Sequence, residues 1–267
     1  MDTVGFLIEI FESVEIFLLI LVRLLGFFII MPIFTGANIP AIIRMAFAVA
    51  FAYMIFIADL YQEAPIFFND DIIAFFWIGV TEFLLGFLMA YVVYIIFSLL
   101  YLVGQLLDSA VGFDMVNVLD PSATIQVPVI GNLLYLMAIV ILIITGGLHL
   151  ILGAVFGSFY HVPLGTVVFF GDATLFWHMI SLIVSAFYFG IQLAAPVVGA
   201  TLIINMAIGM LVKTVPQMNM FVVGIPMRLF MALIILFFVL PVFVTIYYTL
   251  FRDAHQGVWD IITFFAR

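Results

Sequence analysis

The chain has 267 residues, 68% of them hydrophobic and 8% charged, with a formal net charge of -9. Soluble domains are nearer half apolar and a quarter charged, so water is not the main solvent of this fold. Six basic residues among fifteen acidic ones leave no cationic face for nucleic acid, and the absence of cysteine removes disulfides and thiolate chemistry.

The N-terminal stretch, Met1 to Glu15, carries four acidic residues and no basic one, unlike a cleaved secretory signal. Glu9, Glu12 and Glu15 recur every three residues among Phe6, Ile10, Phe11 and Val14, which predicts an acidic amphipathic helix over 1–15. Apolar runs long enough to cross a lipid core follow at 16–31, 41–60, 72–104, 132–159, 173–212 and 218–251. The fold expected is an all-α single membrane domain over 1–267 with about six long, kinked apolar segments. The run at 72–104 overshoots a bilayer as one straight helix, so it must tilt, bend near Gly79 or Gly86, or leave the membrane. Pro196 and Gly199 interrupt the fifth run, and Pro226 and Pro241 the sixth. Such residues are tolerated in spanning helices where neighbouring protein satisfies the freed backbone. Basic residues outside the helix centres tie between the two sides, so the positive-inside rule gives no orientation.

Arg23 lies inside the first run, where a charge costs about 2.5–3.5 kcal/mol and must meet protein, a cavity or a counter-ion. Glu82, inside the third run, is its natural partner. A structural ion pair locking helices outweighs a proton relay, which usually needs more than one buried acid. Arg228 can snorkel to an interface. Gly153-x-x-x-Gly157, Gly86 and Ala195-x-x-x-Gly199 have helix-packing spacing. Methionines at 206, 210, 218, 220, 227 and 231 read first as core filling.

No phosphate-binding loop, paired-histidine zinc motif or nucleophile elbow is present, and His149, His161, His178 and His255 are scattered. Asp108, Asp114 and Asp120 lack the alternation of a calcium loop. No catalytic residue, metal site or cofactor is expected. The segment 104–131 is different. From Asp108 to Gly131 it has no sustained helical period, being too apolar for water and too broken for lipid. Non-helical backbone at membrane depth survives only inside protein or along a cavity, which predicts a re-entrant or plug-like loop.

Several motifs in order carry a resemblance to a family. They are Arg23 with Pro32, Pro40 with Arg44, Glu82-x-x-x-Gly86, and Gly104-Gln-x-x-Asp108 leading to Gly112. Asp120-Pro121, Pro128, Gly146-Gly147-x-His149, Ser158, and Pro163-x-Gly165 come next, then Pro196, Asn205, and Gln217-Met-Asn219-x-Phe221-x-x-Gly224-x-Pro226. Over nearly the whole chain this resembles the FliR family of the flagellar type III export gate and its injectisome counterparts. The resemblance implies a pore-containing gate in the bacterial inner membrane, at the flagellar basal body, built with FliP-like, FliQ-like and FlhB-like subunits. Unfolded exported proteins pass through it, and membrane lipid surrounds part of it. It also implies that the loop plugs the pore, with Phe113, Met115, Val116, Val118 and Leu119 as seal, shaped by Asp108, Gly112, Asp114, Asp120 and Pro121. The alternatives are a virulence injectisome subunit, a small proton-coupled transporter using Glu82, Arg23 and His149, and a structural scaffold.

Overall fold

The structure is a computed structural model that describes residues 3–35, 39–62, 72–113, 128–167, 173–214 and 220–266. Among these residues there are seven helices and no strand. They are α1 (Thr3–Ile30), α2 (Ala41–Ile57), α3 (Ile72–Val111), α4 (Val129–Ile144), α5 (Gly147–His161), α6 (Ala173–Thr214) and α7 (Met220–Phe265). Apolar stretches long enough to cross a membrane lie in α1 (Ser13–Ile30), α3, α6 (Thr174–Leu211) and α7 (Pro226–Phe265). Counted as one broken span, α4 and α5 make a fifth, while α2 is shorter.

Four or five such spans among the described residues, against about six expected runs, have local causes. The run at 132–159 divides because Gly146 takes φ 72, a left-handed conformation that closes one helix before the next begins. Conversely, α3 passes uninterrupted through Gly79, Gly86 and Gly104, and ends only at Val111. The expected loop is therefore shorter than 104–131: 104–111 belong to α3 and 129–131 to α4. Helix formers at Gln105, Leu106 and Leu107 continue the α3 ladder past Gly104. The helix closes at Gly112, φ 98, where the Gly112 and Phe113 amides donate to the Asp108 carbonyl at 2.9 and 3.0 Å. Asp114, Met115, Val116, Val118, Leu119, Asp120 and Pro121 lie outside the described residues. So do the side chains of Glu9 and Glu12, although the backbone of α1 is one helix from Thr3 onward.

The chain forms two compact units, each drawn from separated stretches. The first comprises 1–95, 146–182 and 252–267. Its core takes pairs of α1 residues one turn apart, Leu19 and Ile20, then Leu24, then Phe27 and Phe28, with Ala48, Ala52 and Ile55 of α2. Leu85, Met89 and Val93 of α3, Val155 and Phe159 of α5, and Val258 and Ile262 of α7 complete it. The second unit comprises 96–145 and 183–251. There α4 buries Ile130, Leu134, Ala138 and Leu142, every fourth residue of a helix that is apolar on all sides. Phe97, Leu100 and Val103 of α3, Leu193 and Val197 of α6, and Phe243 and Tyr247 of α7 are buried in the same unit. The Tyr247 hydroxyl donates to the Leu134 carbonyl at 3.2 Å.

Of the six methionines at 206–231, the four whose side chains are described do not fill a core. Met206, Met210, Met227 and Met231 are exposed on α6 and α7, beside Ile203, Phe230, Phe237 and Phe238. Ile203 is 70% exposed and Phe238 73%, so this face is built for lipid or protein, not for water.

Candidate functional site

In the first unit, Arg23 and Glu82 are both fully buried and meet with Nε 2.6 Å from Oε2. Close helix crossing places them. A Cβ on Gly26 would overlap the Phe83 carbonyl, and one on Gly86 would overlap the Arg23 carbonyl. The two backbones touch at this pair of glycines, about one turn from each charge. The remaining guanidinium donors turn to backbone. Nη1 donates to the Ser158 carbonyl at 3.1 Å and the Val162 carbonyl at 3.2 Å, with a longer contact to Ser158 Oγ at 3.4 Å. Nη2 donates to the Val162 carbonyl at 3.2 Å, and the Phe159 ring centroid lies 4.5 Å from Cζ. The second oxygen of Glu82 accepts the Gly165 amide at 2.8 Å.

This ion pair thus fastens the end of α5 and the turn after it to the α1–α3 crossing. Both carboxylate oxygens and all three guanidinium nitrogens have partners. Such saturation is what a brace needs and what a relay must break. His149 is exposed, and neither Arg23 nor Glu82 bonds to it among the described residues.

In the second unit, the ends of α3 and α4 are bound together. A Cβ on Gly104 would overlap Gly131 Cα, so the two backbones touch there. Buried Asp108 accepts the Ile130 amide at 2.9 Å and, more weakly, the Gly131 amide at 3.4 Å, serving the otherwise unpaired first turn of α4. Arg228 does not snorkel outward; its Nε and Nη2 donate to the Ala110 carbonyl at 3.1 and 2.6 Å, and Nη2 also reaches the Ser109 carbonyl at 3.4 Å. The cation thereby meets the negative end of α3, where helix carbonyls lack internal partners. Gly112 and Phe113, which begin the intervening segment, are half-buried.

The remaining small-residue expectations divide. Gly157 lies under the Trp259 ring, 3.1 Å from a built Cβ, whereas Gly153 and Gly199 meet nothing within 4 Å among the described residues. Pro196 is an exposed residue inside α6. The sequence reading did not single out Gly26, Gly131, Val162 or Tyr247. Val162 acts through its carbonyl, which no side-chain pattern reports. Gly26 sits three residues after Arg23, and that spacing could have pointed to it.

Comparison with known proteins places the chain in a family. The family model described as bacterial export proteins, family 1, matches residues 14–254. The chain is 29% identical over 221 residues to the flagellar biosynthetic protein FliR of Bacillus subtilis (strain 168), covering 82% of this chain and 84% of that one. It is 28% identical over 222 residues to the FliR of Aquifex aeolicus (strain VF5), covering 82% and 83%. It is 22% identical over 245 residues to the FliR of Escherichia coli (strain K12), covering 91% of each. With a single family model spanning most of its length, the chain belongs to the bacterial export proteins, family 1, alongside the FliR proteins it is similar to.

Proposed function

We propose that this chain is a membrane component of the flagellar protein export apparatus, and that it helps form and close the pore through which unfolded flagellar proteins leave the cell. The family match over 14–254, with FliR proteins among its relatives, carries the reading. It acts by passage and closure, not by catalysis. Its neighbours are FliP-like, FliQ-like and FlhB-like subunits in the bacterial inner membrane. The outward apolar face of α6 and α7 supports burial against such subunits or lipid.

Closure is assigned to the segment 112–128, between the end of α3 and the start of α4. What supports this is the arrangement at its ends: two touching backbones and the Asp108 carboxylate fix where the excursion leaves and returns. An apolar seal carried by Phe113, Met115, Val116, Val118 and Leu119 excludes hydrated ions while yielding to varied polypeptides, because it has no specific bonds to satisfy. The test is deletion within 112–119 in cells carrying the whole apparatus. The expected result is an assembled complex and a membrane that leaks ions. A deletion strain that stays ion-tight and exports normally removes the sealing role.

A further inference from the structure

We infer that Arg228 is a positioning residue that couples the start of α7 to the end of α3, and so sets where Gly112 and Phe113 emerge. Its significance for closure rests on the proposed reading of that segment as a seal; the coupling itself does not.

Three observations converge on it. First, the guanidinium grips the last turn of α3 through both Nε and Nη2, at 3.1 and 2.6 Å from the Ala110 carbonyl, with Ser109 beyond at 3.4 Å. A planar fork makes this grip directional, which a single ammonium cannot reproduce. Second, Gly112 takes φ 98, and a Cβ there would lie 3.6 Å from Cζ, Nε and Nη1 of Arg228. The guanidinium is therefore laid against the residue at which the helix closes. Third, Arg228 stands two positions after Pro226, inside α7. Proline has no amide to donate to the preceding turn, so the ladder of α7 is interrupted there and the helix can bend at that point. A bend at Pro226 moves the base of Arg228, and its grip passes that movement to the end of α3. Asp108, in the same turn of α3, is meanwhile bonded to the α4 amides, so the junction is fixed to two helices by two opposite charges.

The chain has no cysteine, so a single introduced thiol reports cleanly. Val111, 2% exposed, is the last residue of α3, and Val111→Cys places a buried thiol there. Val155→Cys, a buried position of α5, is the control in the other unit. Labelling by a water-soluble maleimide is measured in membranes containing the full chain with its co-expressed partner subunits. Arg228→Gln is expected to speed labelling at position 111 by roughly tenfold or more, as loss of charge-assisted bonds to backbone implies. Arg228→Lys should give a smaller rise, and labelling at position 155 should stay slow. A merely structural loss would raise both sites together and lower the yield of complex, which overturns the inference. So does an unchanged rate at position 111 in both Arg228→Gln and Arg228→Lys. If labelling rises at 111 alone while the 112–119 deletion stays ion-tight, the coupling stands and the sealing role falls.

Discussion

Replacing Glu82 by Gln keeps size and shape but removes the charge that faces Arg23 at 2.6 Å. The amide oxygen can still accept from Gly165, so the substitution isolates the ionic part of the bond. Both partners are fully buried, and breaking one side of such a pair leaves an uncompensated charge that costs about 3–5 kcal/mol. The four donor contacts from Nη1 and Nη2 to Ser158 and Val162 persist, which puts Glu82→Gln at the lower end, about 3 kcal/mol. Glu82→Ala also leaves the Gly165 amide without its acceptor, adding about 1–3 kcal/mol. In detergent-purified chain followed by tryptophan fluorescence, Glu82→Gln should lower the apparent Tm by roughly 5–10 °C, and Glu82→Ala by more. Arg23→Leu should also be destabilised despite its better lipid solubility, because buried Glu82 loses its counter-ion and the Val162 carbonyl its guanidinium donors, while the Ser158 carbonyl keeps only the Val162 amide. If both Glu82 variants keep the parent Tm, the pair is not a brace. A loss of ion flux at unchanged Tm would instead favour a relay.

The glycine crossing makes a sharper contrast. Gly86→Ala must force α1 and α3 apart and should cost about 1–3 kcal/mol, whereas Gly153→Ala, in open space, should leave Tm unchanged or slightly raised; equal stability of the two would refute the crossing. Asp108→Ala removes the acceptor at the first turn of α4 and should cost about 1 kcal/mol, with faster hydrogen exchange at Ile130 and Gly131. Unchanged exchange at those amides would remove its capping role. Tyr247→Phe deletes the bond to the Leu134 carbonyl at no cost in volume and should lower stability by about 1 kcal/mol, read as a Tm shift. No shift would show that this bond adds no net stability.

Length and apolarity made the helices legible, and single charges in apolar surroundings made Arg23 and Glu82 stand out. What stayed hidden was the facing of each helix. In α4, apolar on every side, only the every-fourth-residue burial of Ile130, Leu134, Ala138 and Leu142 tells inside from outside, and the same residue types lie on the exposed face at Leu133, Leu136 and Val140. The same ambiguity misplaced the methionines, which are soft enough for a core and equally suited to an interface. Helix ends were hidden for another reason: a glycine reads alike whether it breaks a helix, as Gly146 does, or admits a neighbour's backbone, as Gly104 and Gly86 do. Arg228 reads in the sequence as a cation free to snorkel because its acceptors are carbonyls, which every residue has.

Four charges share one task. Arg23 and Glu82 bond the backbone at 158, 162 and 165, where α5 ends; Asp108 and Arg228 bond the backbone at 109, 110, 130 and 131, where α3 gives way to α4. These are places where helical hydrogen bonding stops in a chain with few polar side chains, and where unpaired backbone groups away from water are costly. A charged side chain is the strongest available substitute, since it offers several bonds and adds Coulombic attraction to the helix end. Charge therefore braces turns here, leaving the exposed helix faces apolar. That division suits the conduit role proposed above: junctions keep their places while the apolar surfaces stay free of specific bonds.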